Sequence, residues 1–102
     1  MSEHRILMIE DTPIAARVLL GFCEQAGFQA DHAINCQTAL GYLEKIAYTI
    51  IFMDLGLSDG DGINLTRMIR RSLPKNERTP IIVVSAHVDA TMKIECLQAG
   101  AT

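Results

Sequence analysis

Three short runs of the chain carry almost no polarity: Arg5-Ile6-Leu7-Met8-Ile9, Tyr48-Thr49-Ile50-Ile51-Phe52-Met53 and Pro80-Ile81-Ile82-Val83-Val84-Ser85. Runs this short and this apolar read as strands covered on both faces, as in the interior of a parallel sheet. A fourth run, Phe28-Gln29-Ala30-Asp31-His32-Ala33, alternates weakly and fits a half-exposed edge strand. Between the strands, apolar residues recur at helical spacing. Ile14, Ala15, Val18, Leu19, Phe22, Cys23 and Ala26 predict the inner face of a first helix, with Asp11 or Thr12 as cap, Pro13 in the first turn and Gly27 just past the end. Asn35 predicts the cap of a second helix with Ala39, Leu40, Leu43, Ile46 and Ala47 inward. A third runs from Ile63 to Leu73 on Leu65, Ile69 and Leu73, and a fourth from Val88 to Ala99 on Met92, Cys96 and Ala99, closed by Gly100. Leu55 to Gly62 is a glycine-rich loop, and Pro74 to Thr79 a polar connection.

The order βαβαβαβα predicts an α/β fold: a doubly wound parallel sheet with helices on both faces and right-handed crossovers. With 102 residues, 49 % of them hydrophobic, residues 1–102 are expected to form one domain around one core. Twelve acidic against nine basic residues, with no basic run, argue against a sequence-independent grip on nucleic acid. No apolar stretch approaches the ~20 residues of a membrane span. Met1 to Arg5 lead straight into a strand without a signal peptide, so the expected location is cytoplasmic. Cys23, Cys36 and Cys96 are odd in number and form no CxxC pair; they read as small core or half-buried thiols, not a disulfide framework or zinc site. Met8, Met53, Met68 and Met92 read as core filler.

The chemistry lies where the strands end. The first ends on Glu10-Asp11, the third on Asp54 and the fourth on Ser85. In open α/β sheets ligands bind at the carboxyl ends of the strands. Each group alone has an ordinary explanation: an acidic helix cap for Glu10-Asp11, a turn former for Asp54, a solvated strand end for Ser85. If the first, third and fourth of these strands are neighbours, the groups share one mouth, where three carboxylates repel one another and stay ionised only around a cation. Hard oxygen ligands suit Mg²⁺ or Mn²⁺. Such an ion neutralises phosphoryl oxygens, and a carboxylate beside it can attack phosphorus to give an acyl phosphate. Ser85 can donate a hydrogen bond to a phosphoryl oxygen.

The segments Ile6 to Asp11, Ile50 to Leu57, Asp59-Gly60-Asp61-Gly62, Pro80 to Ala86 and Ala99-Gly100-Ala101 together resemble the receiver domain of two-component signalling. The resemblance covers essentially the whole chain and implies a flavodoxin-like sheet, in the family order 2-1-3-4-5. It implies Asp54 as phosphoryl acceptor, and Mg²⁺ held by Glu10, Asp11, Asp54 and the backbone carbonyl of Gly56. Ser85 matches the hydroxyl that turns to the phosphoryl group, and Ala86 the small residue that leaves the site open. The implied partner is a histidine kinase or a histidine phosphotransfer domain, with no direct contact to nucleic acid or membrane, and the implied catalysis is limited to the domain's own phosphorylation and dephosphorylation.

Two departures stand out. Ser58 replaces the usual proline after the acceptor, which loosens that loop slightly. The chain reaches Thr102 where the family's fifth strand, with its site lysine, begins; Lys45, Lys75 and Lys93 do not match that lysine. The expected sheet is therefore 2-1-3-4 with the fifth strand and helix absent. That leaves Ile81 to Val84 as an unpaired edge, prone to pair with a second copy through strand 4 or helix 4. A binding or dimerisation module that switches poorly is the alternative function, and a Mg²⁺ phosphohydrolase the remote one. A dehalogenase-type phosphatase needs a second acid where Gly56 stands. Asp59-Gly60-Asp61-Gly62 hints at a calcium loop, but the EF-hand glutamate position is Arg70, and a turn is the simpler reading. His4, His32 and His87 have no metal-ligand spacing; His87 reads as a solvated loop residue at the rim.

Overall fold

A computed structural model describes residues 4–84 and 88–102. Its strands β1 (Arg5–Ile9), β2 (Gln29–Ala33), β3 (Ile50–Met53) and β6 (Ile81–Val83) form one parallel sheet in the order β2-β1-β3-β6. This is the expected 2-1-3-4 order, with β6 as the fourth main strand. Two short strands intervene, β4 (Gly56–Leu57) and β5 (Gly60–Asp61), an antiparallel pair within the glycine-rich loop that hydrophobic patterning did not predict. The helices are α1 (Pro13–Gln25), α2 (Cys36–Lys45), α3 (Gly62–Ser72) and α4 (Ala90–Ala99), with a 3₁₀ turn at Pro74–Asn76.

The central strands are as dry as their composition requires. Leu7, Met8, Ile9, Ile51, Met53 and Ile81 are fully buried. Leu65 and Ile69 from α3, Leu73 just past its end, and Ala39 and Leu43 from α2 close one side of this core. Asn35 caps α2 as expected, its Oδ1 accepting from Thr38 N at 2.8 Å. Gly27 and Gly100 follow the ends of α1 and α4 with φ of 89° and 117°, the left-handed conformation that glycine adopts without a Cβ clash.

The inner face of α1 needs correction. Its buried residues are Ala16 and Cys23, whereas Ile14, Val18 and Phe22 are 79 %, 56 % and 65 % exposed. The helix is apolar nearly all round, so its pattern supports two stripes equally well. A small residue at position 16 is the one that meets the sheet. Ala47 and Met68 are likewise exposed, not core. The connection from Pro74 to Thr79 is polar but only partly solvated: Pro74, Lys75, Glu77 and Arg78 are exposed, whereas Asn76 and Thr79 are buried. Asn76 Nδ2 donates to the carbonyls of Leu43 (3.0 Å) and Ile46 (2.7 Å), and its Oδ1 accepts from Tyr48 N (2.8 Å) and Thr79 Oγ1 (3.1 Å).

The outer edge of β6 is partly covered. Thr102 N donates to Ile81 O (2.8 Å), and Ile81 N donates to Thr102 Oγ1 (3.0 Å), so Ile81 is not the unpaired edge residue expected. Nearby, Arg70 ties α3 to the end of α4 and to the 76–79 connection, donating to the carbonyls of Gly100 (3.0 Å), Glu77 (3.1 Å) and Thr79 (2.7 Å).

Candidate functional site

The site is assembled by the register of β1 and β3. These strands pair from Ile6↔Ile50 to Ile9↔Met53, so the next residues, Glu10 and Asp54, leave the sheet side by side. Asp54 N still donates to Ile9 O (2.9 Å), and Glu10 N to Ala33 O (3.0 Å), holding both backbones in the ladder while the side chains emerge. Glu10, Asp11 and Asp54 each present a carboxylate oxygen within 4.8 Å of the other two. Three expected metal ligands from two strands therefore do meet. No other cluster of three such groups occurs among the described residues. All three donors are hard oxygens, the set that suits a divalent cation such as Mg²⁺ or Mn²⁺.

Each carboxylate is differently set. Glu10 is buried and its Oε1 accepts from Thr12 N (3.1 Å). Asp11 is exposed, with Thr12 Oγ1 at 3.4 Å from its Oδ1. Asp54 is half-buried, and Gly56 N donates to its Oδ1 (3.3 Å). Burial pushes the carboxyls of Glu10 and Asp54 above their ordinary range, and neighbouring negative charge adds to the effect: Asp54 and Asp11 on Glu10, Asp11 on Asp54. Both are carboxylates that the site makes reluctant to ionise, the condition a bound cation relieves.

The sign of the pH dependence follows. A carboxyl whose folded pKa is raised keeps its proton longer in the folded than in the unfolded state. Its ionisation therefore subtracts stability as pH rises from the ordinary carboxylate range through the raised value, and contributes nothing well below that range. Metal-free Asp54→Asn is thus expected to be more stable than the native protein at pH 7, with the gap closing toward pH 3. Urea unfolding at the two pH values checks it, and a native protein at least as stable at pH 7 contradicts it.

The loop after Asp54 is built by aspartates that do not reach the cluster. Asp61 caps α3, its Oδ1 accepting from Asn64 N at 2.7 Å. Asp59 reaches across to α2, where its carboxylate accepts from Cys36 N (2.7 Å) and Gln37 N (3.0 Å). Those hydrogen bonds hold the Asp59 carboxyl below its usual range. Both aspartates act as caps, in line with the turn reading of this segment. Gly62 begins α3 directly under Asp54: a Cβ there would lie 2.4 Å from Asp54 O and 3.0 Å from Leu55 Cα. Asp61-Gly62 ahead of an apolar run was a readable helix start; the reach of Asp59 to a helix more than twenty residues earlier left no local signal. Expected site residues Ser85 and Ala86, and His87 at the rim, lie outside the described residues.

Other expectations meet plain findings. No helix among the described residues is long and apolar enough to cross a membrane. Cys23 and Cys96 are buried free thiols, and Cys36 is a half-buried one whose pKa burial and the neighbouring Asp59 push up to about 11.

Comparison with known proteins agrees with this geometry. Residues 6–102 match the family model of the response regulator receiver domain. The transcriptional regulatory protein PhoP of Escherichia coli K12 is 36 % identical over 97 residues, covering 95 % of this chain and 42 % of PhoP. This chain thus spans less than half the length of that relative. The crystal structure of a two-component response regulator from Clostridium difficile superposes with a TM-score of 0.90 at 30 % identity, over 98 % of this chain and 79 % of that one. A Burkholderia pseudomallei response regulator, crystallised with a phosphorylated aspartic acid, calcium and citrate, shares the fold at a TM-score of 0.89 and 21 % identity, over 97 % of this chain and 56 % of that one. A sheet ordered β2-β1-β3-β6, with its acidic residues gathered where β1 and β3 end, is thus accompanied by a family match along nearly the whole chain: the protein belongs to the response regulator receiver domain family of two-component systems.

Proposed function

We propose that the protein is a phosphoacceptor module that takes a phosphoryl group onto Asp54 from the phosphohistidine of a histidine kinase or histidine phosphotransfer domain. The observation that carries this reading is the convergence of Glu10, Asp11 and Asp54 within 4.8 Å at the carboxyl end of the sheet. A phosphorylated aspartate in the Burkholderia pseudomallei relative points the same way. Glu10, Asp11, Asp54 and the carbonyl of Gly56 are the groups that hold Mg²⁺, with Mn²⁺ an acceptable substitute. The bound ion supplies charge neutralisation for the phosphoryl oxygens. A carboxylate oxygen of Asp54 forms the new O–P bond as the N–P bond of the donor breaks, and the electron pair leaves on the imidazole nitrogen. Gly56 N–H, donating to Oδ1, orients the acceptor carboxylate. Ser85 donates to a phosphoryl oxygen, and Ala86 leaves room for the donor's approach.

Incubation with acetyl phosphate and Mg²⁺, followed by intact mass measurement, tests this. The expected result is a gain of one phosphoryl group in the native protein, absent without the metal and absent in Asp54→Asn. No gain in the native protein favours a binding or dimerisation module instead. Sustained turnover of a phosphomonoester favours a phosphohydrolase.

A further inference from the structure

His32 lies on β2, opposite Met8 in the β1–β2 register and so two residues short of Glu10. Its ring reaches forward along the sheet to the end of β1, where Nε2 lies 2.7 Å from the backbone carbonyl of Glu10. A carbonyl oxygen can only accept, so Nε2 carries the hydrogen and donates. The β1–β2 ladder is ending at this point. Glu10 N pairs with Ala33 O, but Ala33 is the last residue of β2, and Asn35 already caps α2. A side chain thus meets the carbonyl just beyond the end of the paired strand.

That carbonyl belongs to the peptide joining two members of the acidic cluster. Glu10 is held at its other end as well, by Thr12 N on Oε1. Asp11 has no comparable anchor: Thr12 Oγ1 is 3.4 Å from its Oδ1, longer than an ordinary hydrogen bond between oxygens. The direction in which the exposed Asp11 carboxylate leaves the chain depends in part on the plane of the Glu10–Asp11 peptide. The bond from His32 is a hydrogen bond to that peptide and restrains its plane.

We propose that His32 is a positioning residue for the metal pair, acting through the Glu10–Asp11 peptide. The inference rests on the reading of Glu10 and Asp11 as Mg²⁺ ligands given above. Partners that orient metal ligands from one shell out typically change metal affinity 10–100-fold when removed. His32 touches a ligand residue's backbone, so the lower end is expected.

The test is a calorimetric titration of native protein, His32→Gln and His32→Leu with MgCl₂, at a temperature where all three have the same far-UV circular dichroism. Leucine fills similar space without a donor, and its Mg²⁺ Kd should rise about tenfold. Glutamine carries a donor at a similar reach, and its Kd should stay within roughly threefold of native. A merely structural histidine gives a different pattern, in which thermal unfolding of the metal-free variants shifts while their Kd values do not. Native-like affinity in His32→Leu, beside clear binding by the native protein, overturns this inference alone. Absence of Mg²⁺ binding by the native protein overturns the proposed metal site, and this inference with it.

Discussion

Asn76→Ala is expected to lower the unfolding free energy by roughly 3–5 kcal/mol, which for a domain of this size is about 15–30 °C in Tm. Asn76 is wholly buried, and its amide saturates four partners at once: two carbonyls at the end of α2, the N–H of Tyr48 leading into β3, and the hydroxyl of Thr79 leading into β6. Alanine satisfies none of them. Each buried polar group left without a partner costs about 1–3 kcal/mol, and relaxation or an entering water recovers part of the sum. Typical domains have only 5–15 kcal/mol in total, so the variant approaches the limit of folding. Thr79→Val provides the contrast. Its single hydroxyl proton is shared between Asn76 Oδ1 and Tyr48 O, so its loss should cost only about 1 kcal/mol. Urea unfolding of the two variants checks the pair; equal costs would show that the amide is not the hub.

Gly62→Ala is expected to damage the site as well as the fold. The added Cβ would stand 2.4 Å from Asp54 O, and the next contact, Leu55 Cα, is also backbone. No flexible side-chain tip can give way to it; the Asp54–Leu55 backbone must move by about 1 Å to restore ordinary contact. Gly62 N also donates to Leu55 O (3.0 Å), which ties the start of α3 to the same loop and resists its sliding away. Overpacking of this kind costs about 1–3 kcal/mol. Because the displaced peptide is the acceptor's own, phosphoryl uptake from acetyl phosphate should fall by about 100-fold, the order expected for a 1 Å misplacement. Uptake within threefold of native would show that the loop absorbs the methyl elsewhere.

These two residues mark what the chain disclosed about itself and what it withheld. The alternation of strands and helices, the acidic strand ends and the inward faces of α3 and α4 follow from runs and periods readable over a few residues, whereas the sheet order, and with it the meeting of Glu10, Asp11 and Asp54, was implied only by the resemblance to receiver domains. The face of α1 did not follow, because Ile14, Ala16, Val18, Leu20, Phe22 and Cys23 offer two apolar stripes and only the sheet chooses between them. Asn76 looked like an ordinary loop residue, since its partners lie roughly thirty residues back, in α2 and before β3. His32 was dismissed for want of ligand spacing; its role in the structure is toward a backbone carbonyl, which leaves no pattern among side chains. Gly62 was read as turn material, whereas its φ is not positive and its importance is the space it leaves under Asp54.

The carboxylate of Asp59 has a consequence for motion. The first three helical amides of α2 have no partner within the helix. Asn35 receives one, from Thr38, while the loop's Asp59 receives the other two, from Cys36 and Gln37. The anion also sits at the positive end of the helix dipole. Any movement of Asp59 away from α2 would take the acceptor from both amides at once. Hydrogen exchange at Cys36 and Gln37 is therefore expected to report the opening of the loop beside the acceptor, so that amides on a neighbouring helix act as a clock for the site.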